Sequence, residues 1–470
     1  MVRAARRGGG ANPQRGARHL TARFAGGLVL IPLAFAAGAL ASHLVLPFLT
    51  ANVGARALAQ PILVATSWGS AGAFAWAILA ATLLFAGLGY AAVLRELGRA
   101  EASRVAFRAA FIATIAATAA ACTFRFVFSS DLYAYAAYGA LVATHQDPYQ
   151  IHLMDRTVLT GPAFTEAIRF EWPSLPACVY GPIALLLARG LISAFHGNLS
   201  AILIAYRVLV VVAFFVGLMC VSAAAPGRRL TFLAVIGLNP LAIWSVCEGH
   251  NDFLVFALAA FGALLAGSRP ARGGAIIALS SLVKAIAVPV ALVFAAAVGA
   301  GGRRLWMGTL AGLLVAALVQ IWTFLAAGGL QVMVATDFVG TRQAGIAQGL
   351  NGVLALVVVW VGLVHWGAGA RLRGLSAFAL ALWVLLPHHY AWYGFWLTPL
   401  AAVTLQTSEG KALLVATFCG ALRYLPDATG AAGAAPWTSL LAAFVPAASL
   451  LTPLSRAKKP ASLRENPLTT

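Results

Sequence analysis

Apolar runs of about 20 residues recur along nearly the whole chain, broken by short polar stretches, and none alternates like a half-buried strand. Runs of that length match the hydrocarbon core of a bilayer, where a helix satisfies its own backbone hydrogen bonds. The pattern predicts helices over about 24–48, 68–94, 107–127, 181–197, 201–224, 230–248, 252–267, 273–298 and 305–327, another from about 374, and final segments near 411–425 and 436–453. The expected fold class is all-α: a polytopic membrane protein of about 13 transmembrane helices. One transmembrane domain over 24–453 is expected between two basic cytoplasmic tails, a disordered one over 1–23 and another over 454–470, with the first helix an uncleaved anchor.

One stretch departs from the apolar pattern. Between Ser129 and Val179 fall Asp131, Asp147, Asp155, Glu166 and Glu171, five of the 13 acidic residues, together with prolines 148, 162, 173 and 176. This predicts a large external loop carrying short amphipathic helices at the interface. Asp131 opens an aromatic run, DLYAYAAY, directly after an apolar segment. A carboxylate near hydrocarbon costs roughly 2.5 to 3.5 kcal/mol at a helix centre, which favours a functional role. A loop aspartate beside a helix cap, in Ser129-Ser130-Asp131, is the structural alternative.

Composition sharpens this picture. With 61% hydrophobic and 10% charged residues the chain has too little polar surface for a soluble globule. Its net charge of +19 would suggest nucleic acid in a soluble protein. Here the basic residues gather in short loops and termini, so the charge reads as topology, with no nucleic-acid partner and some contact with anionic membrane lipids. The five cysteines form no CxxC pair or metal spacing and read as packing residues.

Counting crossings assigns sides. The arginines at 95, 99, 104 and 108 belong in the cytoplasm, so Asp131 emerges outside; six further crossings return the loop 328–349, and a later helix the PHHY segment, to that face. Arg228, Arg229, Arg269 and Arg272 oppose the trend, leaving the topology of 226–272 open. The outer face then collects Asp131, Tyr133, Tyr135, Asp147 and Tyr149; Asp337, Arg342 and Gln343; and His388, His389, Tyr390, Trp392 and Tyr393. A base, cationic groups and an aromatic wall are the parts of a group-transfer site, with an interfacial aromatic belt as the plainer reading. A second cluster comprises Asn239-Pro240, Glu248, Gly249, His250, Asn251 and Asp252, where the break suggests discontinuous helices lining a cavity. Lys284, expected mid-way through the next helix, is a natural countercharge for Glu248 or Asp252. In VYGP, Pro182 suits the first turn of a helix, with Tyr180-Gly181 shaping the turn before it. No P-loop, GxGxxG, HExxH or DxD pattern appears, so no nucleotide, metal or other cofactor is expected.

Together SSDLYAYAAYGALVATHQDPY, VYGPIALLL, NPLAIWSVCEGHND and PHHYAWY resemble the bacterial polyprenol-phosphate-mannose-dependent mannosyltransferases of the GT-C membrane superfamily, over roughly residues 105–400. The chain departs from that pattern in length, lacking a large soluble C-terminal domain, and loop 328–349 matches no family motif. The resemblance implies a GT-C-like fold in the bacterial plasma membrane, with the active site extracytoplasmic. It implies a lipid-linked sugar donor, a glycan or glycolipid acceptor, and inversion with Asp131 as base. His388, His389 and Arg342 become candidates for stabilising the leaving phosphate, and Tyr133, Tyr135, Asp147, Tyr149, Tyr180, His250, Asn251, Asp252, Lys284 and Tyr390 for binding substrate. A secondary transporter or a flippase for a lipid-linked saccharide, using Glu248, Asp252 and Lys284, is the alternative.

Overall fold

The computed structural model describes residues 21–50, 59–68, 70–101, 103–149, 159–173, 178–284, 288–298, 302–326, 342–386, 389–431 and 434–450. Both basic tails lie almost wholly outside these, as does nearly all of the segment before Arg342. The longer helices are α1 (Ala22–Thr50), α2 (Ser70–Ala100), α3 (Arg104–Cys122), α4 (Asp131–Ala143), α5 (Pro162–Glu171), α6 (Pro182–Ala194), α7 (Leu199–Ala224) and α8 (Pro240–Glu248). After them come α9 (Asp252–Ala266), α10 (Pro270–Leu279), α11 (Val288–Val298), α12 (Gly302–Ala326), α13 (Arg342–Gly367), α14 (Arg371–Leu385), α15 (Ser408–Cys419) and α16 (Ala435–Ser449).

Among the described residues the protein is all-α apart from two-residue strands, β1 (Leu63–Val64) and β2 (Phe126–Val127), paired in parallel. Among the described residues six helices are long and apolar enough to cross a membrane: α1, α2, α3, α7, α12 and α13. A seventh span results if residues 226–248, bent by 61°, count as one. The expected number, about 13, also counted shorter apolar segments such as α6 and α9.

Two of the breaks have clear local causes. Asn239 caps α8, its Oδ1 accepting from the Leu241 and Ala242 amides at 3.0 and 3.3 Å, and Pro240 occupies the first turn, where its missing N–H costs nothing. Five residues of π-helix precede that cap. At the far end Gly249 takes φ +83°, a left-handed conformation that a Cβ disfavours, and α9 begins three residues later.

A further break contradicts the sequence-based expectation of one continuous helix over 273–298. Ser280 and Ser281 turn their hydroxyls back onto the Ile277 and Ala278 carbonyls at 2.6 and 2.7 Å, and the chain leaves α10 through a 3₁₀ turn. Lys284 therefore sits outside any helix, bridged to Tyr180. Gly181 N donates to Val283 O at 2.9 Å, and a Cβ at Gly181 would fall 2.0 Å from the Leu282 carbonyl oxygen, so only glycine permits this approach.

The helix pairs α1–α2, α7–α9, α4–α6, α10–α12 and α13–α14 pack side by side. α4 is buried nearly all round, unlike the amphipathic helix expected in the external loop; α5 buries only Phe164, Thr165 and Ile168 on one side. The core thus places α4, the α8–α9 break and the Lys284 break against one another.

Candidate active site

Asp131 is the first residue of α4, where a carboxylate also complements the helix dipole. Ser130 provides no side-chain cap. Its Oδ2 accepts from Tyr135 Oη at 3.2 Å and lies 3.3 Å from His250 Nδ1, an ion-pair distance at an angle too oblique for a well-formed hydrogen bond. The side chain stays 14% exposed, whereas that of His250 is fully enclosed. Burial would raise the Asp131 carboxyl's pKa, but His250 and the more distant Lys284 charge outweigh it and hold the carboxyl below its usual range.

Behind His250 stands a second carboxylate. Glu248 Oε2 lies 3.3 Å from His250 Nε2 and also accepts from the Tyr424 hydroxyl, while Oε1 accepts from the Phe128 amide at 2.8 Å. The imidazole is thus held between Glu248 and Asp131, and Trp392 stacks on it with centroids 3.7 Å apart. Tyr390 stacks in turn on Trp392, at 4.6 Å and 9°, and Arg423 lies over the Tyr390 ring.

The neighbouring pair is Asp252 and Lys284, joined at 2.9 Å and both buried. Asp252, not Glu248, is the countercharge. Lys284 Nζ also lies 4.9 Å from the ring centroid of Tyr393, 5.8 Å from that of Trp396 and 5.9 Å from that of Tyr180. Tyr180 meets Tyr135 edge-on at 4.9 Å, and Tyr206 lies 5.0 Å from Tyr135.

Other predicted residues support rather than surround this centre. Asp147 Oδ1 accepts from the Tyr149 amide at 2.9 Å, a local turn, and Tyr149 Oη donates to the Tyr180 carbonyl at 3.0 Å. The DPY motif therefore braces VYGP. Tyr133 ties α4 to the segment before β1 through both the amide and the carbonyl of Ile62. Trp172, not anticipated, donates to the Ser130 carbonyl at 2.9 Å, and burial pushes the adjacent Glu171 carboxyl up to about 8.

His389 is buried against Ser439, 2.7 Å from its Nδ1, and edge-on to Trp383. His388, Asp337 and the side chains of Arg342 and Gln343 lie outside the described residues. Buried polar atoms without a partner among the described residues concentrate here: both Asn251 amide atoms, Asp252 Oδ1, and the indole nitrogens of Trp392 and Trp396. Such atoms ordinarily require a partner, so their grouping marks a place built to meet polar groups. Among the described residues no three His, Cys, Asp or Glu side chains could hold a metal ion.

Over residues 24–301 the sequence matches the family described as "Alpha-(1->6)-mannopyranosyltransferase, N-terminal domain". The chain belongs to this family. No curated protein and no solved structure matches it. The match spans Asp131, Glu248, His250, Asp252 and Lys284, while the layer of Tyr390, Trp392, Tyr393 and Tyr424 is contributed from beyond it. The mannosyltransferase family and the apolar helices together make the chain a membrane glycosyltransferase acting on mannose.

Proposed function

We propose that the protein transfers mannose from a polyprenyl-phosphate donor to an envelope glycan or glycolipid at the extracytoplasmic face of a bacterial plasma membrane, with Asp131 as base and inversion at C1. The observation that carries this is the partly exposed Asp131 carboxylate, held ionised by His250 beneath an aromatic wall. The acceptor hydroxyl attacks C1, the C1–O bond to phosphate breaks, Asp131 takes the hydroxyl proton, and polyprenyl monophosphate leaves with the bonding electrons. Tyr135 and His250 occupy Oδ2, and no hydrogen bond or ion pair among the described residues engages Oδ1, which suits it to receive that proton. Lys284, flanked by Tyr180, Tyr393 and Trp396, is the cation best placed to meet charge on the leaving phosphate. The unpartnered Asn251, Trp392 and Trp396 groups suit a sugar's hydroxyls. The reading retains about 13 crossings, the shorter apolar helices being counted with the long ones.

The buried Asp252–Lys284 pair beside a broken helix is also what a transporter or flippase for a lipid-linked saccharide would use. An assay separates the two. Purified protein given polyprenyl-phosphate mannose and an oligomannoside should form one new linkage of inverted configuration. Failure with every lipid-phosphate hexose, combined with saccharide movement in proteoliposomes, would establish the transport reading instead.

A further inference from the structure

One partly buried cation within a spanning helix takes no part in the transfer chemistry. Arg207 is the only charged residue in α7, a helix fit to cross a membrane. Its Nε donates to the Cys247 carbonyl at 2.7 Å and its Nη2 to Cys247 Sγ at 3.1 Å. Neither partner is an anion, and no ion pair among the described residues includes Arg207. A cation within an apolar span is costly, and such residues pair with other charges or with backbone carbonyls and mark ligand or ion pathways.

Arg207 lines a cavity of about 500 Å³ together with His43, Gln60, Thr123 and Arg125, and no carboxylate contributes to that lining. The three basic side chains come from α7, α1 and the link between α3 and β2. His43 Nε2 lies 3.0 Å from the Thr123 carbonyl, while Arg125 is exposed. On the helices that supply His43 and Arg207, Leu44, next to His43, and Ile204 and Val208, within one turn of Arg207, are 64%, 58% and 56% exposed. A basic cavity bordered by outward apolar residues on spanning helices suits an anion attached to a hydrocarbon chain better than one free in water. Phe126 and Val127 form part of its wall, so the cavity backs onto the segment whose Phe128 amide holds Glu248.

We propose that this cavity binds the phosphate of a membrane lipid, with Arg207, Arg125 and His43 as its ligands. The site is separate from the Asp131 centre and stands whether or not a sugar is transferred. Arg207 anchors the phosphate from within the span, Arg125 and His43 close over it from the rim, and the lipid chain runs along α1 and α7.

The experiment counts and titrates lipids bound to the purified full-length chain by native mass spectrometry, using polyprenyl phosphate, phosphatidylglycerol, polyprenol and inorganic phosphate. Polyprenyl phosphate should bind, and the double variant His43→Gln with Arg125→Gln should lose one bound lipid or weaken it at least tenfold. Arg207→Lys should retain more affinity than Arg207→Gln, and unchanged melting temperature in the rim variant would confirm that its fold is intact. Displacement by phosphatidylglycerol would assign the site to bulk anionic phospholipid, and resistance to it would assign the site to the polyprenyl carrier; both support a lipid phosphate. Equal binding of polyprenol, displacement by inorganic phosphate alone, or an unchanged lipid count in the double variant would overturn it. No sugar donor is present, so failure of the transferase reading would leave this result intact.

Discussion

His250 and His365 each lie against a buried glutamate, yet their surroundings balance charge in opposite ways. Glu409, next to His365, is gripped at both oxygens: Arg373 donates to Oε2 and Oε1 at 3.0 and 2.9 Å, and His365 adds a contact of 2.7 Å. One carboxylate meets a guanidinium and an imidazole, and no oxygen is left over. Around His250 one imidazole serves two carboxylates, Glu248 and Asp131, with no arginine in contact. Glu248 is filled by Tyr424 and the Phe128 amide, which leaves Asp131 the less satisfied and more open member. A saturated cluster locks helices together; an under-compensated one leaves a carboxylate oxygen open, as the proposed role of Asp131 as base requires.

Exchanging the charged member of each cluster should separate these roles. Asp131→Asn should lower turnover by about 10²- to 10⁴-fold, the usual worth of a positioned base, with little loss of melting temperature. Wild-type turnover in that variant would place the base elsewhere. Glu409→Gln should do the reverse, costing about 1 to 2 kcal/mol of stability because the partly exposed Arg373 loses its carboxylate partner, while turnover per folded molecule stays unchanged. Thermal unfolding and a transfer assay on the same preparation would show whether the two effects cross as expected.

Smaller changes sharpen the contrast. Tyr135→Phe removes one hydrogen bond to Asp131 Oδ2, and a loss of severalfold in turnover is expected, from about 1 kcal/mol. Tyr424→Phe, which acts on Asp131 only through Glu248 and His250, should have the weakest effect of the series. An order of effects in which Tyr424→Phe exceeded Tyr135→Phe would mean that Glu248 itself meets substrate.

The features legible in the sequence were those written locally. Asn239-Pro240 and Gly249 announced the broken helix, and Asp131, His250 and Asp252 stood out as polar groups in apolar surroundings. The site's closure was written nowhere locally. Glu248 reaches Phe128 across 120 residues and Tyr424 across 176, and nothing in YLPDAT marks its tyrosine as the partner of a buried glutamate. Lys284 lay in an apolar run whose periodicity suggested continuous helix; the competing serine hydroxyls and the strand-like contact with Tyr180 decided otherwise. Arg207 drew no notice in the sequence, although a lone charge in so apolar a helix was itself a signal.

The central claim, that Asp131 and not His250 is the base, is tested most directly by the pH dependence of kcat/KM in the wild type and in His250→Gln. Asp131 is held below the usual carboxylate range, so the wild type should stay active down through pH 4, and the ion pair's contribution to stability, present above the unfolded carboxylate's pKa, should fade only as pH falls through the folded value. Removing the imidazole takes away the largest influence that opposes burial, and the acid limb should then move upward. A wild-type limb near pH 6.5 that vanishes in His250→Gln would contradict this account and make the imidazole the base.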